Sequence, residues 1–205
     1  MNSFKINNLV FDYCRDQYNK SYENERSIEI PLGHYFLDKF NDDVFEVGSV
    51  MIHYGGDLHT VIDLCEKHPR VLNVNALDAD YTNKNVLCIS TIEHMMKREY
   101  GNGSNEDSIT FLKKVINEAN NYLITFPPTY NEFLDDYIVN ELIAKKASNI
   151  FLLKRVSSDN QWAVERNLST YSSYLFGHRD GRHPDGYYNN ANAVCVITNL
   201  KELIN

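Results

Sequence analysis

The sequence predicts an α/β fold, a three-layer sandwich built on a seven-stranded, mostly parallel sheet. Three observations predict it. Short apolar runs alternate with stretches of helical periodicity, the pattern of strands joined by crossover helices. Several of those runs are apolar at consecutive positions, as strands covered on both faces require. Residues 43–66 read as a buried strand ending at Gly48, then a second strand ending in Asp63. That is how a parallel sheet builds a nucleoside site, with the acid placed to accept hydrogen bonds from ribose hydroxyls. At 205 residues the chain is expected to be one domain over 1–205.

The elements follow in order. Residues 1–26 are polar and Tyr-rich and are expected to form an irregular or helical lead-in. Pro31 suits the first turn of a helix, where its missing N–H costs nothing. Leu32, Tyr35, Phe36 and Phe40 recur at helical spacing, so a helix is expected over roughly 30–41. Strands are expected near 43–48, 59–64, 71–75, 85–90, 121–126, 150–156 and 191–198. From Gly48 to Asp63 there is no room for a long helix. The Gly/Asn-rich stretch 97–108 reads as a loop. Ile109, Leu112, Ile116 and Ala119 line one face of a helix running to about 120. Phe-Pro-Pro-Thr-Tyr (126–130) ends the fifth strand, since two prolines cannot extend a central strand. Leu134, Ile138, Leu142 and Ile143 mark a helix over about 131–146, and 177–190 reads as a polar loop.

Composition narrows the function classes. The net charge is −8, and no basic run is visible, which makes nucleic acid an unexpected partner. No apolar stretch of about 18 residues exists, so no membrane span is expected. The first residues lack the apolar core of a signal peptide. Cys14, Cys65, Cys88 and Cys195 are widely spaced with no CxxC pair. They read as reduced thiols in a cytoplasmic protein, with no metal site. His178 and His183, near Asp180 and Asp185, match no dependable ligand spacing. GxGxxG is absent, which weakens a nicotinamide-enzyme reading.

Five segments occur in a telling order: Asn-Glu-Arg-Ser-Ile-Glu-Ile-Pro (24–31), Val-Phe-Glu-Val-Gly-Ser-Val-Met-Ile-His-Tyr (44–54), Ser-Thr-Ile-Glu-His (90–94), Thr-Phe-Pro-Pro-Thr-Tyr-Asn (125–131) and Leu-Lys-Arg-Val-Ser-Ser-Asp-Asn-Gln-Trp (153–162). As a set, over roughly 20–165, they resemble a family of small S-adenosylmethionine-dependent methyltransferase-like proteins. These have the class I, Rossmann-like layout and are often found among bacterial surface-polysaccharide genes. The resemblance implies S-adenosylmethionine as cofactor. It implies that Glu46 and Gly48 wrap the methionine end of the cofactor, and that Asp63 binds the ribose hydroxyls. It further implies that Asn75 and Asp78 face the adenine amino group. Ser90 to His94 would lie where methyl donor and acceptor meet, with Tyr130 and Asn131 on the acceptor side. The loop departs from the usual Glu-x-Gly-x-Gly-x-Gly: after Gly48 come Ser49, Val50, Met51, Ile52, His53 and Tyr54 before Gly55-Gly56. A differently seated cofactor, a role for Gly55-Gly56 and lost binding all stay open.

The residues also carry plainer readings. Asp63 could be a cap, and Glu66 is an alternative acid. His94, at the sheet's carboxyl edge, could take a proton from an acceptor hydroxyl, or simply pack there. His53 and Tyr54 read as packing. Trp162 beside Arg155 could line an acceptor pocket or belong to the core. The expected function is methyl transfer from S-adenosylmethionine to a small molecule such as a sugar or sugar nucleotide. The alternative is a catalytically inactive methyltransferase-fold binding or scaffold protein. Whether the chain forms a homo-oligomer stays open.

Overall fold

The structure is a computed structural model describing residues 2–41, 43–56, 59–96, 103–174 and 190–205. The lead-in is neither irregular nor helical at its start. It opens with a hairpin of β1 (Ser3–Ile6) and β2 (Leu9–Asp12). Its two-residue turn is Asn7-Asn8, and Asn7 takes φ +53. Asn tolerates that left-handed conformation, which primed hairpin turns demand.

Helix α1 covers Arg26–Phe40 and so begins earlier than expected, with Pro31 in its interior. An interior proline leaves the carbonyl four residues back without its N–H. Here that carbonyl, Ser27 O, accepts instead from Cys14 N at 2.9 Å. The segment after the hairpin thus repairs the defect, and the helix continues.

The strands then run β3 (Val44–Val47), β4 (Thr60–Ile62), β5 (Val71–Leu72), β6 (Asn85–Ile89), β7 (Asn121–Phe126), β8 (Ile150–Arg155), β9 (Trp162–Glu165) and β10 (Ala193–Thr198). Their order in the sheet is β5-β4-β3-β6-β7-β10-β8-β9. The pairs from β5 through β7 are parallel. β10 is antiparallel to both β7 and β8. A late, reversed strand inserted next to the fifth is the class I methyltransferase layout the sequence leads one to expect. The sheet has eight strands rather than seven because β8 turns back as the edge strand β9.

Two apolar cores flank the sheet. On one face α1 and the hairpin bury Phe4, Ile6, Ile28, Leu32 and Phe36. On the other, helix α2 (Asp107–Glu118) buries Ser108, Phe111, Leu112 and Val115, a helical stripe. The expected helix over 131–146 is a short α3 (Glu132–Tyr137) followed by a π-helical turn, Ile138–Ile143. A last helix, α4 (Lys201–Ile204), follows β10. Between β3 and β4 the described residues form a 3₁₀ turn, Met51–Tyr54. Trp162 is buried, stacks on Arg155 at 5.0 Å and donates its Nε1–H to Asn160 Oδ1, so it belongs to the core. Of the expected loops, 97–102 and 177–189, His178 and His183 included, lie outside the described residues. No described helix is long and apolar enough to cross a membrane.

Candidate functional site

The strand order reverses at β3: β4 and β5 extend to one side, β6 and β7 to the other. Open α/β sheets bind ligands outside the carboxyl ends of the strands at such a point. A cavity of about 390 Å³ lies there, a size within the ligand-pocket range. Gly48, Asp63 and Asn75 line it, as do Leu64, Leu77 and Thr91. Met95, Met96 and Ser104 also line it. Leu64 is 51% and Val74 37% exposed, so apolar surface faces solvent at the cavity's mouth.

Asp63 follows β4 directly. Its Oδ1 accepts from the backbone of Cys65 at 2.8 Å and Glu66 at 3.0 Å, which folds the turn after the strand. Among the described residues its Oδ2 has two long contacts, 3.3 Å each, from Ser49 N and Oγ. A carboxylate oxygen held that loosely retains capacity for stronger donors. Asn75 accepts from Leu77 N at 3.0 Å through Oδ1, which leaves its amide N–H₂ donors available among the described residues.

The other expected residues lie elsewhere. Glu46 is fully buried and outside the cavity lining. Its Oε1 accepts from Val50 N at 2.8 Å and Met51 N at 2.7 Å, capping the 3₁₀ turn, while its Oε2 pairs with His59 Nε2 at 2.6 Å. Asp78 is exposed and outside the lining. Asn131 is buried: Oδ1 caps α3 through Leu134 N, and Nδ2 donates to Glu93 O and Ser108 Oγ. These three side chains are placed for capping, packing or solvent. His53 stacks on Tyr18, and Tyr54 pairs with Ser21 Oγ.

Ser90 to His94 form the segment after β6. Ser90 takes φ +37 and Thr129, after β7, takes φ +66. Non-glycine residues held in that region cost about 1–3 kcal/mol each and gather at functional sites. The His94 ring meets Tyr130 edge-on, centroids 4.7 Å apart, and its side chain is 37% exposed. Its Nε2 lies 3.9 Å from Glu93 Oε1.

Behind this edge sits a polar cluster that sequence reasoning missed. Glu29, on α1, is fully buried. Its Oε1 accepts from Ser90 Oγ and Thr125 Oγ1, both at 2.7 Å, and its Oε2 from Arg26 at 2.8 Å. Burial pushes its carboxyl up, against the opposing pull of Arg26. Burial alone would pull the Arg26 guanidinium down, but Glu29, Glu25 and Glu93 outweigh it. Glu93 is 2% exposed, and its Oε2 has no hydrogen-bond partner among the described residues. Burial pushes its carboxyl well above the usual range, reinforced by Glu29. The signal available in the sequence was the i, i+3 pair Arg26 and Glu29 on a face otherwise apolar.

The sign of the resulting pH dependence follows. A carboxyl whose folded pKa is raised stays protonated in the native state after the unfolded chain has released its proton. Stability therefore falls as pH rises from about 4.3, the unperturbed glutamate value, through the folded pKa. Glu93→Gln mimics the protonated acid. It is expected to melt higher than wild type at pH 8, with the gap closing at pH 4. Thermal melts at both pH values check this. A gap independent of pH would refute the assignment.

No protein-family model matches the chain, and no curated protein matches it. The chain is similar to a solved structure, magnesium protoporphyrin IX methyltransferase from Synechocystis PCC 6803 with bound S-adenosylmethionine. Identity is 10%, the match covers 85% of this chain and 84% of that one, and the TM-score is 0.41.

The residues present fit the nucleoside half of S-adenosylmethionine: an acid at the rim, amide donors on Asn75 and apolar walls. The loop after β3 does not present the usual open glycine face. A Cβ on Gly48 would lie 2.0 Å from Thr91 Oγ1, so Thr91 already covers that position.

Proposed function

We propose that the protein transfers a methyl group from S-adenosylmethionine to a small-molecule acceptor. The observation that carries the reading is the cavity at the reversal point of the sheet, with Asp63 on its rim. In this reading Asp63 holds the ribose hydroxyls, displacing the two long contacts from Ser49. Asn75 donates to the adenine, and Leu64, Leu77 and Met95 wall it. When bound, S-adenosylmethionine supplies an electrophilic methyl group. His94 sits at the half-exposed edge as the base that takes the acceptor's proton, with Tyr130 orienting its ring. A sugar or sugar-nucleotide acceptor is supported by the sequence resemblance alone.

Asp63→Asn is the variant that tests the site. It keeps an oxygen to accept from Cys65 and Glu66, so the turn survives, but it loses the charge facing the ribose. Calorimetry with S-adenosylhomocysteine is expected to show affinity falling about tenfold or more, consistent with charge-assisted hydrogen bonds, and the melting temperature near wild type. Unchanged affinity would remove Asp63 from the site.

The second reading is a methyltransferase fold without turnover. Thr91 seated over Gly48 favours it, because that contact occupies the face where the cofactor's backbone approach is expected. Binding of S-adenosylmethionine with no transfer to any hydroxyl or amine acceptor would support it.

A further inference from the structure

We propose that the open edge of β2 takes an extended, lysine- or arginine-rich peptide as an added strand, seated between the hairpin and α1. This surface shares no lining residue with the cavity at the end of β3 and is separate from the methyl-transfer site.

The hairpin register says which backbone groups are open. Tyr13 N donates to Asn2 O at 3.0 Å, and the next pair in the register is Ser3 with Asp12. Hydrogen-bonded and non-hydrogen-bonded pairs alternate along an antiparallel ladder. Phe11 and Leu9 therefore bond to Phe4 and Ile6, while Val10 and Asp12 turn their N–H and C=O groups away from β1. Among the described residues no other backbone segment takes those groups up. Cys14, next on the same edge, does find a partner: its N–H goes to Ser27 O on α1 at 2.9 Å. The edge is thus closed against the helix at Cys14 and open at Val10 and Asp12.

A cavity of about 480 Å³ lies beside the open part. Val10, Asp12 and Cys14 line it from the hairpin, Ile30 and His34 from the helix. Val10 is 59% exposed, and an apolar residue on an uncovered edge is an invitation to pairing that natural sheets usually blunt. Strand addition uses such an edge: main-chain hydrogen bonds hold the peptide, and alternate side chains are read by the walls. Neighbouring strands lie about 4.8 Å apart, so a peptide bonded to Val10 and Asp12 runs along the α1 side of β2, in this cavity.

The charge of the walls selects the peptide. Asp12, Asp16 and Asp38 line the cavity, with no Lys or Arg among its described lining residues. Asp12 and Asp38 are exposed, and neither is in an ion pair among the described residues. Tyr35 and Tyr54 also line it, their hydroxyls bonded to Glu202 and Ser21. Rings held in this way can pack the methylene stems of Lys and Arg and attract their charged heads. A second copy of the chain is a poorer occupant, because edge-to-edge pairing would set these carboxylates against their own equivalents, and like charges across a strand pair are destabilising.

The test uses a fluorescein-labelled Lys-Val-Lys-Val-Lys-Val-Lys peptide, followed by fluorescence anisotropy. A form N-methylated at every residue keeps all its charges and loses its N–H groups. Wild type is expected to bind the parent about tenfold or more tighter than the methylated form, and to leave Glu-Val-Glu-Val-Glu-Val-Glu unbound. Val10→Pro removes a donor that faces the cavity and not β1, a position where an edge strand tolerates proline. It is expected to weaken the parent peptide about tenfold, as is Asp12→Asn combined with Asp38→Asn. Equal affinity for the parent and methylated peptides would reduce the binding to charge attraction and overturn the proposal. So would binding of the glutamate peptide as tight as that of the parent, or no binding of the parent at millimolar concentration. A dimer seen by sedimentation and lost in Val10→Pro would give the edge to a second copy and overturn it too. If Val10→Pro does not fold by circular dichroism, the methylated peptide decides on its own.

Discussion

Glu29→Ala is expected to destabilise the protein by about 3–5 kcal/mol, the cost of removing one partner of a buried ion pair. The wild-type carboxylate is fully buried and takes three side-chain donors, from Ser90, Thr125 and Arg26. Removing it strands two hydroxyls and a guanidinium. Ser90 also loses the hydrogen bond that holds it at φ +37 at the end of β6. For a chain of this size 1 kcal/mol shifts the melting temperature by roughly 2–4 °C, so the loss is expected to exceed 6 °C. Glu29→Gln keeps an acceptor for the hydroxyls but not the charge facing Arg26, and is expected to fall between the two. Urea titration of the three proteins checks the order. A loss below 1 kcal/mol for the alanine variant would mean that water satisfies the cluster and that it does not fix the edge of the sheet.

The outcome matters for reading such chains, because the cluster was not legible in the sequence while most of the sheet was. β6 reads Asn-Val-Leu-Cys-Ile and is buried throughout, and β10 likewise. Buried central strands announce themselves as apolar runs whatever surrounds them. Edges do not. β9 is half-exposed, and its residues alternate too weakly to stand out. The start of α1 was hidden by Pro31. A proline inside a helix reads as a first turn unless one knows that Cys14 N reaches the freed carbonyl. The hairpin had a local signal in Ser-Phe-Lys-Ile-Asn-Asn-Leu-Val-Phe-Asp (3–12), with Asn-Asn in place of the more familiar Asn-Gly.

The site divides in the same way. Gly48, Asp63 and Asn75 sit at strand ends, so topology alone carries them to one crevice. Glu46 also sits at a strand end. Its carboxylate turns back to cap the 3₁₀ turn and meet His59, partners that depend on how the following loop folds. Asn131 was visible as a polar residue after β7, but an Asn before a helix is a natural cap, and that is the role its hydrogen bonds show. Glu29 meets Ser90 and Thr125 only because α1 packs against β6 and β7. No local pattern carries that.

Gly48→Ala is expected to cost about 3 kcal/mol, and the size of the loss bears on whether the crevice can open. Two terms contribute. Gly48 has φ +86, where an L-residue is strained by about 1–2 kcal/mol. The new methyl would also lie 2.0 Å from Thr91 Oγ1 and 2.8 Å from its Cβ, and overpacking of that kind costs about 1–3 kcal/mol. A double-mutant cycle separates them, because Gly48→Ala in a Thr91→Gly background removes the clash and keeps the strain. If the two changes couple by 1 kcal/mol or more, Thr91 is fixed over Gly48 in the free protein. A ligand must then pass beside it. If they do not couple, Thr91 swings aside at little cost. The face of Gly48 is then available to a cofactor after all, and the loop regains the role its position suggests.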